Sequence, residues 1–226
     1  MTPQAVLSPN AREVCRALSE TDLVDEFYLA GGTGLALQLC HRRSDDLDFF
    51  TIQPTELIGS NSVTEHVEKA FGSRMPRLEL RTPSQQTWRI QGVKVSFIAY
   101  PFPLLHRLVD LDPNLKLGKV KAASVREIAA MKSYALGRRA VARDYVDLYF
   151  ILKSGVRLDE IMNDASRKFI LAGEPVFSPK LFLEQLAYTE DLEDIGAALA
   201  TVTSEGLSIG EVERFLRQEV KRYLPT

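Results

Sequence analysis

The stretch from Phe27 to Thr51 combines two adjacent glycines with a closely spaced group of aspartates. Its sequence is FYLAGGTGLALQLCHRRSDDLDFFT. Gly31 and Gly32 follow a short apolar run, and Asp46 and Asp48 lie just before a Phe-Phe pair. Acidic side chains this close to large apolar ones predict a strand that has one polar face and one buried face.

The two aspartates are expected to project from the same side of that strand, because strand residues two apart share a face. Leu47 and Phe49 would then enter the core, and Asp45 would be a solvated loop residue or lie on the opposite face. Two carboxylates held this close repel each other unless a cation lies between them. Mg²⁺ suits the position, because it takes oxygen ligands from one or two carboxylates and from substrate phosphates. Asp46 and Asp48 are therefore candidate metal ligands.

The glycines indicate an anion site at the start of a helix. Gly31 and Gly32 let a ligand approach the backbone closely, and the amide groups of a helix N-terminus favour negative charge. Thr33 can add a hydroxyl group. A glycine or threonine also starts helices in many folds, so this feature becomes specific only together with the Asp-x-Asp pair that follows it.

These residues resemble the first motif of the AbiEii/AbiGii toxin-type nucleotidyltransferases, which belong to the DNA polymerase β-like superfamily. That motif reads Gly-Gly-(Thr/Ser)-x-Leu, a gap, and then Arg-x-Ser-x-Asp-Leu-Asp-Phe. The residues that fill its second part are Arg42 or Arg43, Ser44, Asp46, Leu47, Asp48 and Phe49. A second block, IAAMKSYALGRRAVARDYVDLYFIL, resembles the family's downstream signature through Lys132, Arg143, Asp144, Asp147 and Leu148. The resemblance covers roughly residues 27–152.

The resemblance implies transfer of a nucleoside monophosphate from an NTP to an acceptor, with release of pyrophosphate. It assigns one or two Mg²⁺ ions to Asp46 and Asp48. The residues it assigns to the nucleotide are Gly31, Gly32, Thr33, Arg43, Ser44 and Lys132. Lys132 would be a point charge on the β and γ phosphates. Asp144 would either orient Lys132 or act as a base.

The same resemblance implies a toxin of a toxin–antitoxin or phage-defence system. A cognate antitoxin and GTP or another NTP as donor are expected with it. The acceptor stays open between an RNA end, a protein hydroxyl and a small-molecule alcohol.

A third acid, which polymerase β-like enzymes usually carry on a later strand, is replaced here. Its expected position in GVKVSFIAY is Ser96, and a hydroxyl is a poorer metal ligand than a carboxylate. Candidate substitutes are Glu79, Asp110 and Asp112. The serine motivates a second hypothesis, a nucleotide-binding module that has lost turnover. A third hypothesis is a metal-dependent phosphohydrolase. Histidines are scarce near the aspartates, where only His41 is close in sequence, and this disfavours the third hypothesis.

The basic segment 116–143 predicts either a local anion site or a solvated helix face. Lys132 differs from its basic neighbours, because IAAMKSYAL is otherwise apolar and a charge there needs a reason. Asp144 and Asp147 lie three apart on a predicted helix and share a face, so they could form salt bridges instead of acting in a site. Their candidate partners are Arg139, Arg143 and Lys153.

The hydrophobic pattern predicts an α+β fold in which a small mixed sheet with flanking helices precedes a helical domain. VKVSFIAY alternates with period two, whereas the pattern after Ser124 has a period near 3.6. The predicted strands are Phe27–Ala30, Leu47–Phe50, Leu78–Arg81, Thr87–Ile90 and Val93–Tyr100. The predicted helices are Leu35–Leu39, Asn61–Phe71, Ser124–Leu136 and Ala142–Lys153, with further starts at Ser178 and at a Ser208/Glu211 capping box. We expect a nucleotidyltransferase core at 1–122 and a helical domain at 123–226 that contributes Lys132 and Asp144 to the cleft.

Composition and charge exclude few other classes of protein. Its 226 residues carry a formal net charge of -2, which gives no overall attraction to nucleic acid. Apolar runs stop well short of the roughly 20 residues that a bilayer helix needs, and the N-terminus lacks a signal pattern. We therefore expect a cytoplasmic protein without a membrane partner. Cys15 and Cys40 are expected to be buried free thiols.

Overall fold

The computed structural model describes residues 5–224, apart from the side chains of Ser60 and Ser73. The chain divides between Ser124 and Val125 into two compact units. Within residues 5–224, no helix is both long and apolar enough to cross a bilayer.

The first unit is a mixed β-sheet with helices around it, as the α+β prediction requires. Its helices are α1 (Pro9–Leu18), α2 (Leu23–Glu26), α3 (Gly31–Leu39) and α4 (Ser60–Phe71). Its strands are β1 (Phe27–Leu29), β2 (Leu47–Thr51), β3 (Arg77–Arg81), β4 (Gln85–Ile90), β5 (Val93–Ile98), β6 (Val109–Asp110) and β7 (Lys121–Ala122). The seven strands lie in the order β3-β4-β5-β2-β1-β7-β6. Strand β2 is therefore central, antiparallel to β1 and parallel to β5.

The core of this unit lies against one face of β2. Leu47 and Phe49 are buried there, as the alternation of the sequence predicts. The Phe49 ring stacks on Phe97 of β5 with centroids 5.5 Å apart. Val14 of α1 and Val67 of α4 belong to the same apolar cluster. Burial of this face leaves the alternate residues of β2 on the opposite side of the sheet.

The second unit is helical apart from one short hairpin. Its helices are α5 (Val125–Leu136), α6 (Ala142–Lys153), α7 (Leu158–Lys168), α8 (Pro179–Ala187), α9 (Ile195–Thr201) and α10 (Ile209–Tyr223). The hairpin pairs β8 (Ile170–Leu171) with β9 (Glu174–Pro175). Strands of two residues have no period to detect, so the sequence did not predict the hairpin.

Two predicted serine caps start helices in this unit. The hydroxyls of Ser178 and Ser208 accept hydrogen bonds from the amides of Leu181 and Glu211, each at 3.2 Å. The carboxylate of Glu211, predicted to complete a capping box, accepts a hydrogen bond from the Tyr149 hydroxyl at 3.0 Å. A residue predicted to act locally thus connects α10 to α6.

Several element boundaries differ from the prediction, and the shifts of α3 and β5 have identifiable causes. Helix α3 begins at Gly31 and not at Leu35, so the glycines form its first turn. Gly31 has a φ of 62°, a left-handed value that favours glycine. Strand β5 ends at Ile98, because the Tyr100 amide donates to the Thr51 hydroxyl at 2.9 Å and a proline follows.

The two cysteines have different environments. Cys15 is fully buried, as predicted, and burial raises the pKa of its thiol to about 12. Cys40 is only half-buried, contrary to the prediction, because the chain turns out of α3 there with a φ of 54°.

A fully buried ion pair joins α5 to α7 in the second unit. Lys168 Nζ lies 2.5 Å from Glu127 Oε1, and neither side chain is exposed. Burial lowers the pKa of Lys168, and the charge and hydrogen bond of Glu127 offset part of that effect. The Glu127 carboxylate therefore stabilises the charged form of the buried lysine.

Replacement of this carboxylate should destabilise the protein in a pH-dependent way. We expect Glu127→Gln to lower the free energy of unfolding by about 3–5 kcal/mol near neutral pH. In this variant the folded-state pKa of Lys168 is lowered further. At pH values between the folded-state and unfolded-state pKa of Lys168, the unfolded state therefore binds more protons than the folded state, and the free energy of unfolding rises with pH. Urea denaturation between about pH 7 and about pH 10 should therefore show the deficit shrinking. Glu127→Gln/Lys168→Met should recover most of the lost stability, and a double variant as unstable as the single one would contradict this account.

Candidate functional site

The aspartate pair lies at the start of the central strand β2. Asp48 is half-buried on the face opposite Phe49, whereas Asp46 is exposed just before the strand. In the parallel pairing of β2 with β5, Asp48 is in register with Ser96. Ser96 is only 2 % exposed, and its hydroxyl lies 3.4 Å from that of Thr87. The position beside Asp48 thus holds a hydroxyl group.

The acids considered as substitutes for the third carboxylate lie elsewhere in the first unit. Glu79 is on the edge strand β3, where Arg89 donates to both of its oxygens at 3.1 Å and Arg77 to one at 3.0 Å. Hydrogen bonding to Arg89 is the main cause that lowers the pKa of Glu79. Asp110 is on β6 at the opposite edge, and Asp112 caps the turn that follows. None of the three lies on a strand next to β2.

The residues near β2 fit a metal ion that arrives with phosphates, and not one held by protein alone. Within residues 5–224, no three His, Cys, Asp or Glu side chains are grouped so that they could hold a metal. Mg²⁺ is commonly bound by one or two carboxylates together with waters and substrate phosphates. Asp46 and Asp48 supply that number of carboxylates.

Thr33 connects the first turn of α3 to the loop that carries the aspartates. Its buried hydroxyl donates a hydrogen bond to the Asp46 carbonyl and lies 2.8 Å from the Ser44 hydroxyl. The neighbouring Asp45 carboxylate, predicted to be a solvated loop group, accepts a hydrogen bond from the Ser8 amide at 2.7 Å. The loop before β2 is therefore fixed on two sides, and the geometry favours Thr33 as a group that holds the loop in place.

The two glycines make room for side chains of the protein itself. A methyl group on Gly31 would lie 2.9 Å from Asp48 Oδ2, and one on Gly32 would lie 2.0 Å from Arg42 Nη2. Arg42 is only 3 % exposed, and its Nη1 donates to the Arg43 carbonyl at 3.1 Å. The side chain of Arg43 is exposed. The glycines are therefore explained by groups that approach the backbone closely. These groups are a carboxylate and a guanidinium of the protein, whereas the sequence had predicted a ligand.

The sequence prediction selected Arg43, whereas the arginine that packs on the glycine turn is Arg42. The motif spacing could have identified it, because Arg42 stands two positions before Ser44, as Arg-x-Ser requires. The residues that the structure brings together in the first unit are Gly31, Gly32, Thr33, Arg42, Ser44, Asp46, Asp48 and Ser96.

The second unit holds its predicted residues in a buried charge cluster. Lys132 Nζ lies 2.7 Å from Asp144 Oδ1 and 2.5 Å from Asp147 Oδ2. These residues are 7 %, 2 % and 0 % exposed, respectively. Arg139 also donates to Asp144, from Nε at 2.8 Å and from Nη2 at 3.2 Å. Both aspartates thus form a salt bridge with Lys132, the lysine predicted to act in the site, and Asp144 forms another with Arg139.

The charge state of Asp144 follows from its surroundings. Burial is the largest single influence and raises its pKa, but the charges and hydrogen bonds of Lys132 and Arg139 together lower the pKa below its usual value. A carboxylate that releases its proton so easily is a weak base near neutral pH. The environment therefore favours Asp144 as a group that orients Lys132 over Asp144 as a general base.

Comparison with known proteins identifies related sequences and folds. A family model described as the nucleotidyl transferase AbiEii toxin of type IV toxin–antitoxin systems matches residues 13–218. An uncharacterised protein of Aquifex aeolicus (strain VF5) is 31 % identical over 221 residues, which cover 96 % of this chain and 98 % of that protein. The structure of MenT4, a nucleotidyltransferase toxin from Mycobacterium tuberculosis H37Rv, is similar with a TM-score of 0.58 and 18 % identity, over 96 % of this chain and 84 % of that one. JHP933 from Helicobacter pylori has a TM-score of 0.54 and 17 % identity, over 96 % of this chain and 92 % of that one. The two structural likenesses show a shared fold.

The contact between Gly32 and Arg42 can be tested by adding one methyl group. Gly32→Ala should lower the free energy of unfolding by about 1–3 kcal/mol, because the methyl displaces the guanidinium. Chemical denaturation measures the loss. Gly72→Ala is the matched control in the same unit, since a methyl there meets no atom within 4 Å.

A double-mutant cycle identifies the cause. Gly32→Ala should cost markedly less in an Arg42→Ala background, where the clashing group has been removed. An equal cost in both backgrounds would mean that contact with Arg42 does not explain the glycine.

Proposed function

We propose that this chain, which belongs to the AbiEii family of nucleotidyl transferase toxins, transfers a nucleoside monophosphate from an NTP to a cellular acceptor and releases pyrophosphate. The observation that carries the proposal is the junction of β2 with α3. There, the Asp48 carboxylate lies beside Gly31, the first residue of α3, and the Asp46 carbonyl accepts a hydrogen bond from Thr33. Carboxylates next to a helix N-terminus suit a metal–triphosphate complex, because the metal attracts the acids and the amides attract the phosphates.

Asp46 and Asp48 would hold Mg²⁺ in this proposal. The ion would neutralise phosphate charge and lower the pKa of a bound hydroxyl group. Ser96, in register with Asp48, adds no third carboxylate. We therefore favour one strongly bound ion, although the family resemblance allows two.

The nucleotide-binding residues are proposed around the first turn of α3. Amide groups there point outward from the helix, and the helix dipole favours an anion. The residues proposed to surround the triphosphate are Gly31, Gly32, Thr33, Arg43 and Ser44. Arg42 joins them, because a guanidinium packed on the glycine turn is suited to two-point contact with phosphate oxygens. Thr33 would contribute to nucleotide binding indirectly, because its hydroxyl holds the loop before β2 in place.

Lys132 and Asp144 complete the proposed set from the second unit. Lys132 would act as a compact positive charge on the β and γ phosphates. Asp144, which stays ionised, would hold the ammonium group in place. These roles come from the family resemblance, and the ion pair between the two side chains supports them.

We also propose a biological setting that the family description suggests. The protein would act in the cytoplasm as a toxin that inhibits growth by modifying an RNA or a protein, with a cognate antitoxin opposing it. GTP is the first donor to test. A small-molecule alcohol remains a further acceptor to include.

Transfer can be tested directly with NTPs that are labelled on the α-phosphate. Purified protein, Mg²⁺ and cell extract should yield a labelled band, and RNase or protease treatment should identify its chemical class. Asp48→Asn should reduce the label by about 10²-fold or more, because several kcal/mol of charge stabilisation depend on the metal. Asp45→Asn is the matched control, since that exposed carboxylate contacts a backbone amide. A band of unchanged strength in Asp48→Asn would overturn the proposal.

Ser96 favours a second candidate function, a nucleotide-binding module that has lost turnover. This alternative predicts that NTP with Mg²⁺ raises the melting temperature while no transfer product forms. Ser96→Asp, which restores an acid beside Asp48, should then create pyrophosphate release, and Ser96→Asn should not. Wild-type protein that already releases pyrophosphate would exclude the alternative, and release of free phosphate would instead indicate a phosphohydrolase.

A further inference from the structure

The second unit contains a cavity of about 220 Å³ beside the C-terminal end of α5. Phe177 and Phe182 line it, and these two residues are buried with ring centroids 5.9 Å apart. Leu181 of α8 also lines the cavity and is 40 % exposed, so it lies at the rim. Pockets for drug-sized ligands usually measure about 300–1,000 Å³. This smaller, mainly apolar cavity has room for a single large side chain.

Arg138 lies at the same cavity and is held in place by three contacts. Its guanidinium carbon lies 3.5 Å from the centroid of the Tyr134 ring, which is a cation–π contact. Its Nη1 donates to the Tyr134 carbonyl at 3.1 Å, and its Nη2 donates to the Val176 carbonyl at 3.2 Å. The Tyr134 ring is itself fixed, because Phe169 stacks on it with centroids 4.1 Å apart. The position of the guanidinium is therefore set before any ligand arrives.

This guanidinium has no acidic partner within the protein. Arg126 and Arg139 of the same unit each form a salt bridge with a carboxylate. Across residues 5–224, no carboxylate forms a salt bridge with Arg138, whose side chain is exposed. A cap on the last turn of α5 accounts for the bond to the Tyr134 carbonyl. It does not account for the bond to Val176, which fixes the cation at the cavity. A fixed guanidinium of this kind is suited to accept a carboxylate from another molecule.

We propose that this cavity and Arg138 form a docking site for a protein segment in which a leucine-sized apolar side chain stands next to a carboxylate. The apolar side chain would fill the cavity, and the carboxylate would accept hydrogen bonds from Arg138. Little side-chain freedom would be lost on binding, because the guanidinium is already held in place. This inference goes beyond the proposed NTP transfer and does not require it.

The remaining polar groups of the cavity wall are engaged within the protein. The Ser133 hydroxyl donates to the Ala130 carbonyl at 2.8 Å, and the Ser178 hydroxyl accepts from the Leu181 amide at 3.2 Å. Among the described residues that line the cavity, Arg138 is the one cation. A polyanion such as a nucleic acid draws its affinity from several cations. A single carboxylate beside an apolar group matches this wall better.

Exposed apolar residues next to the cavity favour a protein as the occupant. The hairpin β8–β9 leaves the cavity wall at Val176, whose amide donates to the Phe169 carbonyl at 2.9 Å. In the hairpin, Ile170 is 46 % exposed and Leu171 is 38 % exposed. Protein interfaces combine an apolar centre with aromatic residues and arginine, and their strongest contacts are side chains that fill pockets. The cavity, Arg138 and the hairpin together have this composition.

The test uses acetylated and amidated hexapeptides that carry Leu-Asp or Asp-Leu at the centre and glycine and serine elsewhere. Titrated into isotope-labelled full-length protein, one of them should shift the amide NMR signals of Gly137 and Leu181 with a Kd of about 1 mM. Asparagine in place of the peptide aspartate should weaken binding about fivefold to tenfold, because the charge-assisted hydrogen bond is lost. Alanine in place of the peptide leucine should abolish the shifts. These peptide changes leave the protein unaltered, so they cannot affect its folding.

Variants of the protein test the same contact from the other side. Arg138→Gln should weaken binding of the aspartate peptide by the same factor, and should cause no further loss with the asparagine peptide. Arg217→Gln is the matched control, since Arg217 is an exposed arginine of the same unit that donates to the Ala187 carbonyl at 3.0 Å. It should leave the Kd unchanged. Leu181→Glu should abolish binding, because it places a negative charge at the rim.

Three results would overturn the proposal. One is the absence of shifts at Gly137 and Leu181 with either peptide at about 10 mM. Another is an aspartate peptide that binds Arg138→Gln as tightly as wild-type protein. The third is a different occupant, shown by a single-stranded oligoribonucleotide that shifts the same amides, or by dimers in sedimentation equilibrium that Leu181→Glu abolishes. None of these results depends on NTP transfer, so this inference and the proposed function can fail separately.

Discussion

The hydrogen bond from the Thr33 hydroxyl to the Asp46 carbonyl is the constraint on which the first unit's site depends. It joins the first turn of α3 to the residues that enter β2. The aspartates and the helix start come from separate parts of the chain, and a shift of either would separate the acidic groups from the amides. The glycines allow this junction to be tight, because Asp48 and Arg42 occupy the space that side chains at Gly31 and Gly32 would need.

In the second unit, the arrangement of the predicted site residues depends on the balance of buried charges. Lys132 is buried and forms salt bridges with Asp144 and Asp147, and Arg139 forms another with Asp144. A buried ion that loses its partner costs far more than the pair contributes when it is intact. Loss of activity in a Lys132 variant would therefore combine structural and chemical effects.

Ser96 departs from the three-carboxylate pattern that the sequence resemblance led us to expect. It lies beside Asp48 across two parallel strands, where its hydroxyl is buried and lies close to that of Thr87. A neutral group there lowers the negative charge around β2, so that in the proposed function two carboxylates would face the metal–triphosphate complex. In that proposal the acceptor would be activated with less help from a second ion, so the positions of Asp46 and Asp48 would matter more.

Local patterns in the sequence determined the family, the α+β class, the polar and apolar faces of β2, and helix α6 from Ala142 to Lys153, because spacing, period and capping act over a few residues. The tertiary structure decided which side chains cover the glycine turn, which residue lies beside Asp48 and how many carboxylates hold Lys132. These contacts join positions that are distant in sequence, and their geometry follows from strand order and helix packing. Arg42 rather than Arg43 packs on the glycines for the same reason, since adjacent residues of a loop differ only in the direction that the folded backbone gives them.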